Sequence, residues 1–123
     1  MKSRAEVWRC DAGGASVAVL NIPGSLERHR TFDVDVTLVV RVPQPLAGAW
    51  HALTVELDGQ QQWSRRINSN SPGQTDGLDH HCRIELPTGK ALRVRAVAAV
   101  GGSVVSQLLV EAREEPDSHA PAG

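Results

Sequence analysis

The residues best suited to chemistry form a short run, His80-His81-Cys82, with Cys10 and His51 elsewhere in the chain. Imidazole and thiolate are the ligands that zinc prefers, and a cysteine beside a histidine also resembles a nucleophile with its base. The spacing contains neither Cys-x-x-Cys nor His-x-x-x-His. In a strand, His80 and Cys82 would point to one side and His81 to the other. We therefore predict no catalytic residue, no metal and no cofactor, and keep a small metal-binding protein using His80 and Cys82 as an alternative.

Two groups of carboxylates are weaker candidates for acid–base catalysis and for calcium binding. Asp33 and Asp35 would share one face of a strand, where paired carboxylates act as acid and base only if a cleft perturbs their pKa values. On an open sheet such residues more often keep the surface soluble. Asp76 and Asp79 lie in or near a polar stretch, residues 68–77, whose oxygens could bind calcium, but their spacing matches no calcium loop. We interpret both groups as ordinary surface and turn residues.

Two tryptophans, Trp50 and Trp63, flank the dipeptide Asp58-Gly59, which predicts a tight hairpin. With a two-residue turn, Trp63 faces Thr54, and both indoles stand on the exposed face of the sheet, where they could stack on a sugar or dock a peptide. With a three-residue loop and a bulge, the register shifts by one and Trp63 faces Val55 in the core. We favour the core position. A carbohydrate-binding module using Trp50 and Trp63 is kept as an alternative.

Arginines supply the last candidate site. Arg93 and Arg95 share one strand face and could form a basic strip for an acidic ligand. Outward glutamates such as Glu56 make cross-strand charge pairing the simpler interpretation. The candidate ligand-binding residues are therefore Trp50, Trp63, Arg93 and Arg95.

The composition of the 123-residue chain narrows the function classes. Thirteen basic and fourteen acidic residues give a net charge of −1, which argues against nucleic acid and membrane surfaces as partners. No apolar run is long enough for a signal peptide or a spanning helix. We therefore expect a cytoplasmic protein whose two cysteines are free thiols.

The elements that must position these residues follow a strand period. From residue 32 to 42 every even position is apolar and most odd positions are polar, because successive side chains of a half-buried strand point to opposite faces. The final strand, 104–112, is apolar on both faces, which predicts a position that is either central in its sheet or covered by another element. Residues 68–77 predict a long loop, and Gly101-Gly102 predicts another tight hairpin. Strands are further expected around residues 5–10, 16–20, 50–57, 61–67, 81–86 and 92–100.

These patterns predict an all-β fold, a two-sheet antiparallel β-sandwich of seven to eight strands. Residues 1–113 would form the single domain, and residues 114–123 a disordered tail. The length of the chain fits one domain with its own core.

Two segments carry a resemblance to known families. Residues 92–103, an alternating strand that runs into Gly101-Gly102, are similar to the penultimate strand and hairpin of fibronectin type III domains. The strands on either side of Asp58-Gly59 resemble the C and C′ strands of an immunoglobulin-like domain. The resemblance implies an immunoglobulin or fibronectin type III-like sandwich. Because that architecture hosts many functions, we expect a non-catalytic binding or assembly module that presents a sheet face or edge to a protein partner or to a second copy.

Overall fold

The computed structural model describes residues 5–43 and 48–116, which form eight β-strands. No helix among these residues is long and apolar enough to cross a bilayer. The eight strands form two sheets, which confirms the predicted all-β, two-sheet sandwich. The strands are β1 (Val7–Asp11), β2 (Val17–Ile22), β3 (Arg30–Arg41), β4 (Trp50–Leu57), β5 (Gln60–Asn68), β6 (Thr75–Leu86), β7 (Leu92–Gly101) and β8 (Val104–Glu114).

The strands divide into two four-stranded antiparallel sheets. Sheet I has the order β1-β8-β3-β6, and sheet II has the order β2-β7-β4-β5. The pairings are nested, since β4 pairs with β5, β3 with β6, β2 with β7 and β1 with β8. One long antiparallel hairpin, rolled up so that its strands alternate between two facing sheets, produces this pattern. It is the topology of a jelly roll.

This strand order differs from the immunoglobulin or fibronectin type III order that the resemblance implied. An immunoglobulin sandwich places its first and second strands side by side in one sheet, whereas β1 and β2 lie in different sheets here. The predicted hairpin at Gly101-Gly102 is wrong for the same reason, because this segment carries the chain from β7 in sheet II to β8 in sheet I. Glycines allow a sharp change of direction, but they do not specify the sheet in which the next strand pairs.

The core lies between the two sheets and consists of the alternate residues that the strand period predicts. Phe32, Val34 and Val36 of β3 are 0% exposed, as are Val55 of β4 and Val94 of β7. Burying each such side chain contributes about 1.5–3 kcal/mol. The apolar β8 lies between β1 and β3, which confirms the central one of its two predicted positions.

A charged cluster closes one end of the sandwich. The carboxylate of Glu6 accepts hydrogen bonds from the Trp8 indole at 2.9 Å and from Arg28 and Arg30 at 2.7 Å each. Arg30 is only 2% exposed and also donates to the carbonyl of Pro23 at 2.8 Å. Partial burial pushes the pKa of Glu6 upward, but these hydrogen bonds outweigh it and hold the pKa below its ordinary value. The cluster thus ties the segment before β1 to the start of β3.

The polar loop between β5 and β6 is shorter than predicted. It covers residues 69–74, because β5 ends at Asn68 and β6 already begins at Thr75. Thr75 pairs with Arg41, so the long β3 offers backbone partners that convert polar residues into strand. Sequence polarity alone did not reveal this pairing.

The C-terminal strand extends one residue beyond the predicted domain boundary at 113. β8 ends at Glu114, and Glu115 binds Arg83 of β6 through two hydrogen bonds of 2.6 and 3.0 Å. Residues 117–123 of the predicted tail lie outside the described residues.

Candidate interaction surface

The outer face of sheet I carries charged side chains that pair with one another. Asp35 on β3 binds Arg113 of β8 at 2.7 Å and His81 of β6 at 2.8 Å. Arg113 also binds Glu111, and hydrogen bonds to Glu111 and Asp35 raise the pKa of its guanidinium further. Asp33 lies 3.5 Å from His81. The structure therefore places both aspartates of the predicted pair on an open sheet, in a network of cross-strand polar contacts.

The outer face of sheet II has apolar side chains at its centre. Val17 pairs with Val97, and Ala52 pairs with Ala99, so these residues form a continuous surface across β2, β7 and β4. Neighbouring strands lie about 4.8 Å apart, which makes this surface about 10 Å wide. Outward positions of a solvated antiparallel sheet are normally polar. We call the outward apolar residues of this surface the apolar strip; they are Val17, Val19, Ala52, Val97 and Ala99. Contact with solvent does not explain why these positions are apolar.

Trp50 borders the apolar strip at the start of β4. Its indole lies against Gly101, where an added Cβ would sit 2.0 Å from the indole nitrogen. The guanidinium of Arg66 lies 3.9 Å from the ring centroid, a cation–π contact. Trp50 is therefore on the outer face, as predicted, but Arg66 covers part of it.

Trp63 lies on the opposite, inner face of sheet II. The turn at Asp58-Gly59 has two residues with positive φ, 51° and 83°, as a two-residue hairpin requires. One extra residue in β5 then shifts the register, so that Trp63 pairs with Val55. A two-residue turn and a bulge, expected as alternatives, thus occur together. Trp63 stacks on His80 at 4.5 Å between ring centroids, and the two-tryptophan platform considered for a sugar is not formed.

Arg93 and Arg95 lie on the outer face of β7, beside the apolar strip. Arg95 binds Glu56 of β4 at 3.0 Å, the cross-strand pairing that the sequence favoured. The backbone N–H of Arg93 donates to the carboxylate of Asp58 at 2.9 Å, while its side chain is exposed. Together with Arg66, these arginines outnumber the two carboxylates at the border, so the border of the strip is more basic than acidic.

The histidines and cysteines that the structure describes do not converge on a metal site. Cys10 on β1 and Cys82 on β6 are free thiols at opposite edges of sheet I, three strand spacings or about 14 Å apart, which is too far for a disulfide. His80 and Cys82 share the inner side of β6. Burial lowers the pKa of His80 and raises that of the Cys82 thiol, so Cys82 is a poor nucleophile. Within residues 5–43 and 48–116, no three His, Cys, Asp or Glu residues are placed to hold a metal ion.

His51 is completely buried at the end of the sandwich where β4 begins. Its Nδ1 lies 2.7 Å from the Ser69 hydroxyl, which lies 2.8 Å from the Ser103 hydroxyl. Most of this chain of polar groups is closed to solvent, since His51 is 0% exposed and Ser103 is 4% exposed, whereas Ser69 is half-buried. We interpret it as a structural tie between β4, the β5–β6 loop and the β7–β8 connection.

Asp76, one of the two candidate calcium ligands, stabilises the loop before β6. Its carboxylate accepts backbone hydrogen bonds from Asn70 at 2.9 Å and Gly77 at 2.8 Å. Burial pushes the pKa of Asp76 upward, but these hydrogen bonds lower it overall. Asp79 lies further along β6 and points outward. The nearby depression, along residues 37–39 and 75–79, is shallow and open.

Comparison with known proteins supports the fold alone. No protein-family model and no curated protein sequence matches the chain. Among solved structures, the chain is similar to dimeric latent PorU from Porphyromonas gingivalis, with a TM-score of 0.58 and 11% identity over 89% of this chain. The chain corresponds to only 12% of the length of that protein.

Two further structures are more distant. Eiger TNF from S. frugiperda has a TM-score of 0.48 and 8% identity, over 98% of this chain and 99% of that one. A protein of infectious bursal disease virus, Gt strain, has a TM-score of 0.42 and 14% identity, over 89% of this chain and 32% of that one.

Proposed function

We propose that this chain is a non-catalytic binding module that docks the outer face of sheet II onto a protein partner. The observation that carries the proposal is the apolar strip, which occupies outward positions that solvent alone would make polar. A partner that covers the strip gains about 25 cal/mol per Å² of apolar surface removed from water. Docking on the outer face of sheet I would instead have to desolvate ion pairs that already satisfy one another.

The border of the strip supports a more specific description of the partner. Arg66 lies beside Ala52 of the apolar strip, and Arg95 lies beside Val19 with Arg93 next to it on β7. Glu56 is already bound to Arg95. Interfaces commonly combine an apolar centre with a polar rim, and complementary charge steers their association. The partner surface would therefore be flat and apolar at its centre, with acidic residues around it.

Site-specific photocrosslinking tests this proposal, because it captures a protein that contacts a chosen position whatever that protein is. A photoreactive amino acid replaces Val97 at the centre of the strip in one variant and Thr37 on the outer face of sheet I in another. Both variants are irradiated in an extract of the cells that express the chain. We expect a discrete protein adduct from position 97 and none from position 37.

The control is a competition that uses the wild-type chain. An excess of unlabelled wild-type protein should remove the adduct at position 97, because it occupies the same partner surface. Equal labelling from positions 97 and 37, or no adduct from position 97, would contradict docking through sheet II.

A cytoplasmic location belongs to the same proposal. It is supported by the two free thiols, Cys10 and Cys82, which a reducing compartment preserves. Recovery of the native protein from a secreted or membrane fraction would contradict this part of the proposal.

A further inference from the structure

The strand β6, at one edge of sheet I, is long and regular and contains no proline, whereas short length, bulges and proline commonly prevent an edge from pairing. β1 and β2 are short, with five and six residues, and β5 contains a register shift. β6 has 12 residues, contains no proline, and pairs with β3 without a register shift. Within the described part of the chain, β6 has a strand neighbour on one side alone. Alternate backbone N–H and C=O groups along its other side are therefore free to bind another strand.

The outward side chains of β6 are complementary to themselves. Asp79, His81 and Arg83 follow one another on this face, so a negative and a positive charge stand on either side of the histidine. In an antiparallel pair of β6 strands centred on His81, each Asp79 lies opposite Arg83 of the second copy. Centring the pair on Cys82 would instead place Asp79 opposite Glu85, which is repulsive. The charges thus favour the register centred on His81 over the register centred on Cys82.

The inner side of β6 favours the same register. Cys82 and Ile84 remain partly exposed, whereas their partners on β3, Val34 and Phe32, are 0% exposed. In the register centred on His81, Ile84 lies opposite Leu78 of the second copy and Cys82 lies opposite its His80. These contacts would cover the apolar surface that the sandwich leaves open along this edge.

We propose that two copies of this chain associate through β6, antiparallel and centred on His81, to form one continuous eight-stranded sheet. Such a contact is isologous, because the same patch of both copies meets across a two-fold axis. It goes beyond the proposed function, since it uses the edge of sheet I and leaves the outer face of sheet II free for another partner.

A charge-swap series tests the register. Sedimentation equilibrium over a range of concentrations gives the dimer dissociation constant for wild type, Asp79→Arg, Arg83→Asp and the double variant. Each single variant places like charges opposite each other twice in the dimer, so its dissociation constant should rise about tenfold. The double variant restores opposite charges and should return to within about threefold of wild type.

The matched control is Arg9→Asp, which changes the net charge as Arg83→Asp does but lies on β1 at the far edge of sheet I. It should leave the dissociation constant unchanged. Hydrogen exchange supplies a second measurement, because β6 amides that point away from β3 should become protected as the dimer forms.

Three outcomes would overturn this dimer and leave the proposed function of sheet II untouched. They are a wild-type chain that stays monomeric at millimolar concentration, single variants that behave like Arg9→Asp, and a dimer whose β6 amides exchange as in the monomer. A dimer that survives every substitution in β6 would place the contact on another surface.

Discussion

The two outer faces of the sandwich come from sheets of equal size and similar strand period, yet they interact with water differently. On sheet I, Asp35 binds both His81 and Arg113, so polar side chains on three neighbouring strands satisfy one another. On sheet II, Val17 and Val97 lie side by side at positions where the alternation leaves room for polar residues. Charge on sheet II is confined to the border of the apolar strip.

The contrast between the faces shows that the strand period and the chemistry of the outward side chains are determined independently. Alternation determines which side chains point inward, because every second residue must reach the core. It does not determine what occupies the outward positions. Contact with solvent explains outward residues that are charged and paired. Contact with a partner is the better explanation for outward residues that are apolar, such as Val97 and Ala99.

The largest expected effect contrasts two neighbouring residues of β7. Ala96 is 0% exposed and faces the core, whereas Val97 faces outward. Ala96→Glu buries a charge in a packed core and should cost more than about 4 kcal/mol of unfolding free energy. Val97→Glu should cost less than about 1 kcal/mol. Urea denaturation followed by circular dichroism measures both, and equal losses would show that the apolar strip is not an outer face.

The next largest effect is expected in the partly buried charged cluster around Glu6. Glu6→Gln weakens the hydrogen bonds to the buried Arg30 and should cost about 1–3 kcal/mol at neutral pH. Because the pKa of Glu6 is lowered in the folded state, its contribution is complete above the ordinary glutamate value of about 4.3 and is lost as pH falls through the lower folded value. Wild type should therefore lose stability in acid more steeply than Glu6→Gln.

The matched control for Glu6 is Glu85→Gln, because the exposed Glu85 pairs only with His29, at 3.4 Å, among the described residues. It should change the unfolding free energy by less than about 0.5 kcal/mol. Similar losses in the two variants would show that burial does not distinguish the cluster from a surface pair.

A smaller effect is expected on the charged outer face. Asp35→Asn removes the charge that binds Arg113 and His81 and should cost about 0.2–1 kcal/mol in dilute buffer. Salt screens exposed charges, so the difference from wild type should shrink at high ionic strength. A loss that persists unchanged in high salt would contradict a solvated network.

The smallest effect separates the inner and outer tryptophans. His80 stacks on Trp63, and burial lowers the pKa of His80. Protonation of the stacked imidazole should quench Trp63, so fluorescence should fall as pH drops through a midpoint below about 6.5. Trp63→Phe should remove this transition and Trp50→Phe should preserve it. A transition that depends on Trp50 would mean that the two indoles have been assigned to the wrong faces.

Much of the fold could be predicted from the sequence, because alternation is a local property. The even positions from Phe32 onward identified β3, and the apolar segment after Val104 identified a central or covered strand. The strand order could not be predicted, since it depends on where the chain crosses between sheets. Gly101-Gly102 reads the same in a hairpin and in a crossover, and only the pairing of β8 with β1 and β3 distinguishes them.

The candidate surface was predicted in part. The outward positions of Trp50 and Arg95 followed from the strand period, and so did cross-strand charge pairing in general, of which the pair between Arg95 and Glu56 is one case. The face on which Trp63 lies depends on a one-residue bulge, which is set by local packing and has no clear sequence signal. The apolar strip was not predicted, although apolar residues at outward positions, such as Val97, were visible in the sequence.

The most direct test of the central claim is the affinity of the partner captured at position 97 for two matched variants. Val97→Glu places a charge in the middle of the apolar strip, and Thr37→Glu places the same charge on the outer face of sheet I. Calorimetric titration should show at least about tenfold weaker binding for Val97→Glu, because burying an unpaired charge costs well over 1.4 kcal/mol. Thr37→Glu should bind as wild type does. Equal affinities for the two variants would contradict docking through sheet II.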